Sequence, residues 1–252
     1  MLTIFNCLNA QITDNSDGTS ATGSYSVAMG YNTTASGDQS TAMGRSSTAS
    51  GARSTAMGYN TTASGINSTA IGRKSVASGY YSTTLGYDTR ASDFTSTVIG
   101  QYNNSLSSIT TNGSAISYDA DNTAFVIGNG TDDSNRSDAF KVMFNGDASV
   151  SNDLTVSGDV VISSDASLKS NIVSLGSTLS KLLQVDGKTY VMNGKQKIGV
   201  LAQEIKEVFP ELVTKDENEN LAVNYQGLVP VLINALKEQE ERIKRLEELL
   251  LD

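Results

Sequence analysis

The sequence predicts a mainly β, homotrimeric fibre whose C-terminal part is an α+β domain ending in a trimeric coiled coil. Glycines recur every fourteen residues over residues 21–100, the composition changes abruptly near residue 163, and apolar residues after residue 228 alternate at spacings of three and four. The 252 residues are enough for several small domains. We expect a leader over 1–20, a repeat head over 21–100, a β-rich neck over 101–163 and a C-terminal domain over 164–252.

The composition of the whole chain limits the partners, catalytic groups and metal sites that the protein can have. A formal net charge of -9 argues against nucleic acid and anionic membranes as partners. Histidine is absent, which excludes a Ser-His-Asp triad and argues against the common zinc sites. The single cysteine, Cys7, cannot form an internal disulfide, and no apolar run reaches the ~18 residues of a membrane helix. We therefore expect no metal, no cofactor and no membrane span.

The first residues read "MLTIFNCLNAQ", a short apolar stretch that ends in Asn9 and Ala10. A secretory signal would have a basic start and a longer apolar part. A signal remnant and a short leader both stay open.

The repeat head contains two rows of glycine, half a repeat apart. The first row is Gly30, Gly44, Gly58, Gly72, Gly86 and Gly100; the second is Gly23, Gly37, Gly51, Gly65 and Gly79, and it is broken at Asp93. Small residues (Ser or Thr, Ala, Gly) alternate with other residues in each half-repeat. This period of two predicts strands coiled into a narrow parallel β solenoid with the small residues inside.

The outward positions of the head differ between the two halves. One half carries an apolar row, here called the head row, which consists of Met29, Met43, Met57, Ile71, Leu85 and Ile99. The other half carries serines. A core of Ala, Ser and Gly, at ~25 cal/mol per Å² of buried apolar area, cannot offset the ordering of about 80 residues. We expect the head row to face its copies along the axis of a homo-oligomer; a lone solenoid with an exposed apolar stripe is the alternative.

Two further rows repeat along the head. One corner of the head carries an alternating row of tyrosine and arginine, namely Tyr31, Arg45, Tyr59, Arg73 and Tyr87. Because successive coils lie ~4.8 Å apart, these side chains would stack as cation–π pairs. The pairs would either stabilise the fibre or face a ligand. A threonine row suggests ice binding as a further alternative, but it shares the face of the head row, which the trimer would bury. Its members are Thr41, Thr55, Thr69, Thr83 and Thr97.

Residues 21–100, with segments such as "NSTAIGRKSVASG", resemble the head repeats of trimeric autotransporter adhesins, the YadA-like left-handed parallel β-roll. Period and residue types both match over more than five repeats. The resemblance implies a trimer.

The neck loses the period but keeps short alternating runs: "AFVIG", "AFKVMF", "LTVSG" and "DVVIS". Residues 145–146 and 157–158 are turn signals. We expect a β-rich neck that is intertwined between chains. Two acidic clusters lack the spacing of a calcium loop, so we interpret them as solvated loops. They are Asp119 with Asp121, and Asp132 with Asp133 and Asp138.

The C-terminal domain has an ordinary globular composition. "KIGVLAQEIKEVFPELV" predicts a strand followed by an amphipathic helix that ends at Pro210, and "VNYQGLVPVLINALKEQEERIKRLEELLLD" predicts a long helix. A coiled-coil seam over about 228–252 follows from its a and d positions. The seam residues are Val229, Leu232, Leu236, Gln239, Ile243, Leu246 and Leu250. The alternative is an amphipathic helix that packs only on its own domain.

Between neck and C-terminal domain runs "ISSDASLKSNI", residues 162–172. A serine hydroxyl needs a base to become a nucleophile, and in a chain without histidine a lysine is the available candidate. Lysine is a base only when neutral, a form that burial in an assembly favours. Alone, a serine and a lysine five residues apart are also compatible with a polar linker.

"SDASLKSNI", "KIGVLAQEIKEVFPELV" and "VNYQGLVPVLINALKEQ" together resemble the self-cleaving intramolecular chaperone domain of endosialidase-type phage tail spikes. The three motifs cover residues 164 to about 245 in the expected order. The resemblance implies that this domain trimerises the chain, guides folding of the β-rich stalk and then cuts itself off through a Ser-Lys dyad.

The family pattern S-D-x-x-L-K falls on Ser164, Asp165, Leu168 and Lys169, with Asn171 in the same motif. The resemblance thus implies Ser164 as nucleophile, Lys169 as base and the Ser163–Ser164 bond as the cleavage site. The nearby serines, Ser163 and Ser167, lack the family's spacing to the lysine.

These observations predict a homotrimeric fibre of a phage tail or a cell surface, with a single-turnover serine autoprotease and no external substrate. The head would contact a host-surface receptor or glycan. The alternative is a structural trimeric adhesin whose C-terminal domain trimerises without cleavage. A glycan-degrading enzyme is disfavoured because residues 1–163 contain no glutamate for a carboxylate pair.

Overall fold

The structure is a computed structural model that describes residues 12–13, 18–104, 113–215 and 219–251. Most of the leader expected over residues 1–20 lies outside the described residues. The chain divides into two compact units, residues 1–160 and 161–252.

The first unit is a β solenoid of about six turns, as predicted. Each turn gives a longer strand to one sheet and a two-residue strand to a second sheet. The first sheet contains β1 (Ile12–Thr13), β3 (Val27–Tyr31), β5 (Thr41–Arg45), β7 (Thr55–Tyr59), β9 (Thr69–Arg73), β11 (Thr83–Tyr87) and β13 (Thr97–Gln101). The second contains β2 (Ser20–Ala21), β4 (Thr34–Ala35), β6 (Thr48–Ala49), β8 (Thr62–Ala63), β10 (Val76–Ala77) and β12 (Arg90–Ala91). Successive coils pair in parallel, fourteen residues apart, so that Met43 lies beside Met57.

Small side chains fill the solenoid, as the period of two predicts. The alanines at the centres of the strands are fully buried, and so are serines and threonines beside them, for example Ala42, Ser40 and Ser47. The second glycine row is buried as well. The prediction that the first glycine row also lies inside is wrong, because these residues are half-buried or exposed.

The first glycine row has a different role. Its φ angles lie between +94° and +147°, a region that side chains rarely adopt. A Cβ on Gly58 would lie 1.9 Å from the carbonyl oxygen of Gly72 in the next coil. These positions therefore require glycine for backbone conformation and for close approach of neighbouring coils.

Both corners of the solenoid carry non-glycine residues in the left-handed region. One of the two corner rows runs through Tyr25, Gln39, Arg53, Asn67, Tyr81 and Thr95, with φ between +56° and +61°. The backbone N–H of a corner residue donates to a carbonyl oxygen of the preceding coil, as Gln39 does to Ser24 at 2.7 Å. Backbone pairing between coils thus holds a conformation that these side chains disfavour.

The apolar head row lies outside the solenoid. Met29 and Leu85 are exposed, and the other four members are half-buried. The predicted cation–π ladder is present: the Arg45 guanidinium carbon lies 5.6 Å from the ring centres of Tyr31 and Tyr59. Residues 43 and 45 point to the same side of β5, so the ladder flanks the head row on one face.

Beyond the last coil, β14 (Thr123–Asn129) pairs in parallel with β13, and β15 (Asp138–Met143) and β16 (Ala148–Val150) continue the sheet antiparallel. The side chain of Asn103 takes the place of a further strand beside β12. Its Oδ1 accepts from the Arg90 N–H at 2.8 Å, and its Nδ2 donates to the Arg90 carbonyl at 3.0 Å. This side chain satisfies backbone groups that the end of the sheet would otherwise leave open.

The strands expected for "LTVSG" and "DVVIS", in a neck intertwined between chains, stay a prediction. Residues 151–163 contain no strand and are exposed. The Ser151 N–H donates to the Ala139 carbonyl of β15 at 3.1 Å, just beyond the end of β16. In the second acidic cluster of the neck, the carboxylates have partners nearby in the sequence. Asp132 accepts from the Ser134 N–H at 2.8 Å, and Asp133 pairs with Arg136. Across the described residues, no three candidate metal ligands come together.

The second unit is α+β. It contains a 3₁₀ helix (Ala166–Leu168), α1 (Leu179–Leu182), the hairpin of β17 (Lys188–Met192) and β18 (Lys195–Gly199), and α2 (Ala202–Val208). A second 3₁₀ helix (Pro210–Leu212), the hairpin of β19 (Val213–Lys215) and β20 (Leu221–Val223), and α3 (Leu228–Leu251) follow. Its core is built around Ile205, Phe209 and Val231. None of the helices in the described ranges is long and apolar enough to cross a membrane.

One predicted feature of this unit is confirmed and another differs in detail. The helix α2 ends before Pro210, as predicted, because the residue preceding a proline avoids the helical conformation. The long helix α3 begins only at Leu228, since "VNYQG" forms the end of β20 and a turn.

Candidate functional site

Ser164 and Lys169 are in direct contact in the folded chain. The Lys169 Nζ lies 2.7 Å from the Ser164 Oγ and 3.1 Å from the Ser164 carbonyl oxygen. The 3₁₀ helix between them makes this contact, because it reverses the chain within five residues. A protonated lysine donates to the hydroxyl at this distance, and a neutral amine there can accept the hydroxyl proton.

Asp165 shapes this turn. Its carboxylate accepts from the Ser167 N–H at 2.7 Å, and its extended backbone precedes the 3₁₀ helix. The hydrogen bond from Ser167 lowers the pKa of the Asp165 carboxyl below its usual value, since the bond favours the ionised form. Asn171 adopts φ +54°, a left-handed conformation that asparagine tolerates well, and redirects the chain after the lysine.

The whole segment 161–177 is exposed in the single chain. This includes Ser163, Ser164 and Lys169, and also the apolar Leu168, Ile172 and Val173. Three exposed apolar side chains thus lie within a few residues of the lysine in the sequence.

The helix α3 has two faces. Val231 and Ala235 are buried against the domain core, whereas Leu236 is 68% exposed. Every residue of the predicted seam is exposed in the single chain. The alternative prediction, a helix that packs only on its own domain, leaves this second apolar face without a role.

The sequence gives no sign of the structural role of Glu238 in α3. The Glu238 carboxylate accepts from the Ser177 hydroxyl at 2.6 Å and from the backbone N–H groups of Thr178 and Leu179. It therefore caps α1 from a position 59 to 61 residues further along the chain. Glu238 stands among charged residues on a helix surface, so no local pattern distinguishes it from its neighbours.

Comparison with known families agrees with both resemblances. Residues 164–214 match the family model described as chaperone of endosialidase. Residues 21–47, 35–61, 49–75 and 63–89 each match the model of the YadA head domain repeat in two copies. A search of curated proteins found no match.

The solenoid includes the matches to the YadA head repeat, which imply a trimeric fibre, and residues 164–214 of the second unit match the endosialidase chaperone model. Proteins of these adhesin and tail-fibre families are associated with cell surfaces or virions.

Proposed function

We propose that this protein is a trimeric fibre whose C-terminal domain assembles the chain and then releases itself by autoproteolysis between Ser163 and Ser164. The observation that supports this most strongly is the contact of 2.7 Å between the Lys169 Nζ and the Ser164 Oγ. It occurs at the start of the region that matches the endosialidase chaperone model.

In the proposed reaction, Ser164 Oγ attacks the carbonyl carbon of Ser163. A C–O bond forms, the C–N bond to Ser164 breaks, and Lys169 moves the hydroxyl proton to the departing amine. Water then hydrolyses the resulting ester, which leaves a carboxylate on Ser163 and restores the serine hydroxyl.

Assembly would control this reaction through the lysine. An ammonium group in water keeps its proton at neutral pH, and burial away from water favours the neutral amine. The exposed apolar residues beside the dyad, Leu168, Ile172 and Val173, give the surface that a trimer would cover. The chain would thus be cut only after it has trimerised through the seam on α3.

The released part, residues 1–163, would be the mature fibre of a phage tail or a cell surface. We propose that its head attaches to a host receptor or glycan. The exposed tyrosines of the ladder, Tyr31 and Tyr59, support a contact role at the edge of the head row.

A denaturing gel of the expressed full chain tests the cleavage. Wild type is expected to give two bands, of 163 and 89 residues, and Ser164→Ala a single band of 252 residues. Ser167→Ala removes the neighbouring rival serine and should still be cut. A single full-length wild-type band would instead favour the adhesin that trimerises without cleavage.

A further inference from the structure

Hydrogen bonds of three side chains, Glu238, Thr178 and Asn234, join the long helix α3 to the chain just after the dyad. Glu238 accepts from Ser177 and from two backbone N–H groups, as described above. The Thr178 hydroxyl donates to the Val231 carbonyl at 2.9 Å, and the Asn234 Nδ2 donates to the Gly176 carbonyl at 3.3 Å. Residues 176–179 are thereby fixed to one face of α3.

The same stretch of α3 carries part of the coiled-coil seam. Leu232, Leu236 and Gln239 are exposed on a different face from Val231 and Ala235, which are buried. Packing of three copies along the seam would therefore leave the contacts of Glu238 intact. Because residues 176–179 are fixed to α3, formation of the coiled coil would also fix their position in the assembly.

Only six residues, 170–175, separate Lys169 from the fixed segment. A chain of this length spans at most ~3.6 Å per residue, so Lys169 stays within about 25 Å of the anchor on α3. Ile172, Val173 and Leu175 in this connection are exposed.

From these contacts we infer that Glu238 is a positioning residue for self-cleavage. It joins the trimerising helix to residues 177–179, a short connection away from Ser164 and Lys169. Formation of the coil would then place the dyad where the other copies cover it. This inference rests on the proposed self-cleavage.

Glu238→Gln in the full chain tests the link, because glutamine keeps the size of the side chain but loses the charge and one acceptor. We expect the trimer, measured by native mass, to persist, and cleavage, followed over time on a denaturing gel, to slow by about tenfold to a hundredfold. Glu240→Gln, two residues away and paired only with Lys244 on the surface, is the matched control and should cleave like wild type.

Ser177→Ala is a milder second variant, since it removes one contact of the carboxylate and keeps the two backbone contacts. It should slow cleavage by less than Glu238→Gln does. Cleavage of both variants at the wild-type rate would overturn the link and leave the proposed self-cleavage intact. Loss of the trimer together with cleavage in both variants would also overturn it, because Glu238 would then serve folding alone. Absence of cleavage in wild type would contradict the proposed function itself.

Discussion

Asp93 stands where five earlier coils have a glycine, and it marks the end of the solenoid. Its carboxylate is buried and accepts from the Thr123 N–H, the first residue of β14, at 2.8 Å. Burial raises the pKa of the Asp93 carboxyl above its usual value, and the hydrogen bond from Thr123 opposes this only in part. Compared with the unfolded chain, the folded head therefore favours the protonated form of Asp93.

The sign of the resulting pH dependence follows from the raised pKa. The folded head binds this proton more tightly than the unfolded chain does, so stability falls as pH rises from about 4 through the folded pKa. Asp93→Asn has no charge and keeps an oxygen that can accept from Thr123. We expect the gain in melting temperature of Asp93→Asn over wild type to be larger at pH 7 than at pH 4.

Asp159→Asn, at an exposed position of the neck, serves as the control and should leave the melting temperature unchanged at either pH. A gain from Asp93→Asn that is equal at both pH values would show that burial of the charge is not the cause.

Within a coil, the two glycine rows differ in a way that the sequence does not reveal. Both rows have the same spacing, but only the second is buried, and only the first needs a left-handed backbone. The distinction depends on how neighbouring coils approach one another, which is a property of the stacked structure.

Gly58→Ala tests this requirement. The added Cβ would lie 1.9 Å from the Gly72 carbonyl oxygen and would occupy a backbone with φ +130°. We expect a loss of at least about 2 kcal/mol in the free energy of unfolding, measured by denaturant titration of the head. Gly158→Ala is the matched control, because a Cβ there has no neighbour within 4 Å. Equal stability of the two variants would contradict the steric explanation.

Much of the fold was predictable because the repeat imposes one geometry on every coil. The alanine interior, the outward head row and the Tyr–Arg ladder all follow from a period of two within a period of fourteen. The corner residues were not predictable, since Tyr25 and Thr95 have no preference for the left-handed conformation that pairing between coils enforces. The strands expected in the neck stay a prediction, because a neck intertwined between chains would take their partners from other copies.

At the candidate site, the sequence identified the local part and missed the long-range part. The contact of Ser164 with Lys169 lies within five residues and depends on a turn that Asp165 specifies. The contact of Glu238 with residues 177–179 spans about sixty residues, and only the folded domain brings it about.

Among the described residues, the exposed apolar surface includes the head row, the neck segment 151–163 and the seam on α3. Each lies in a region where the sequence predicts contact with other copies of the chain. A homotrimer accounts for all three with one symmetric arrangement, and the YadA head repeats independently imply a trimeric fibre. Cleavage after Ser163 would then separate a finished fibre from the domain that assembled it.

The most direct test of this account is the intact mass of the chains in the trimeric and the monomeric fractions of the expressed protein. We predict that wild-type trimer contains pieces of 163 and 89 residues, with the break between Ser163 and Ser164, and that monomer contains the uncut chain of 252 residues. Lys169→Ala should give trimer made of uncut chains. A wild-type trimer of uncut chains, a break at another bond, or wild-type cleavage of Lys169→Ala would contradict the account.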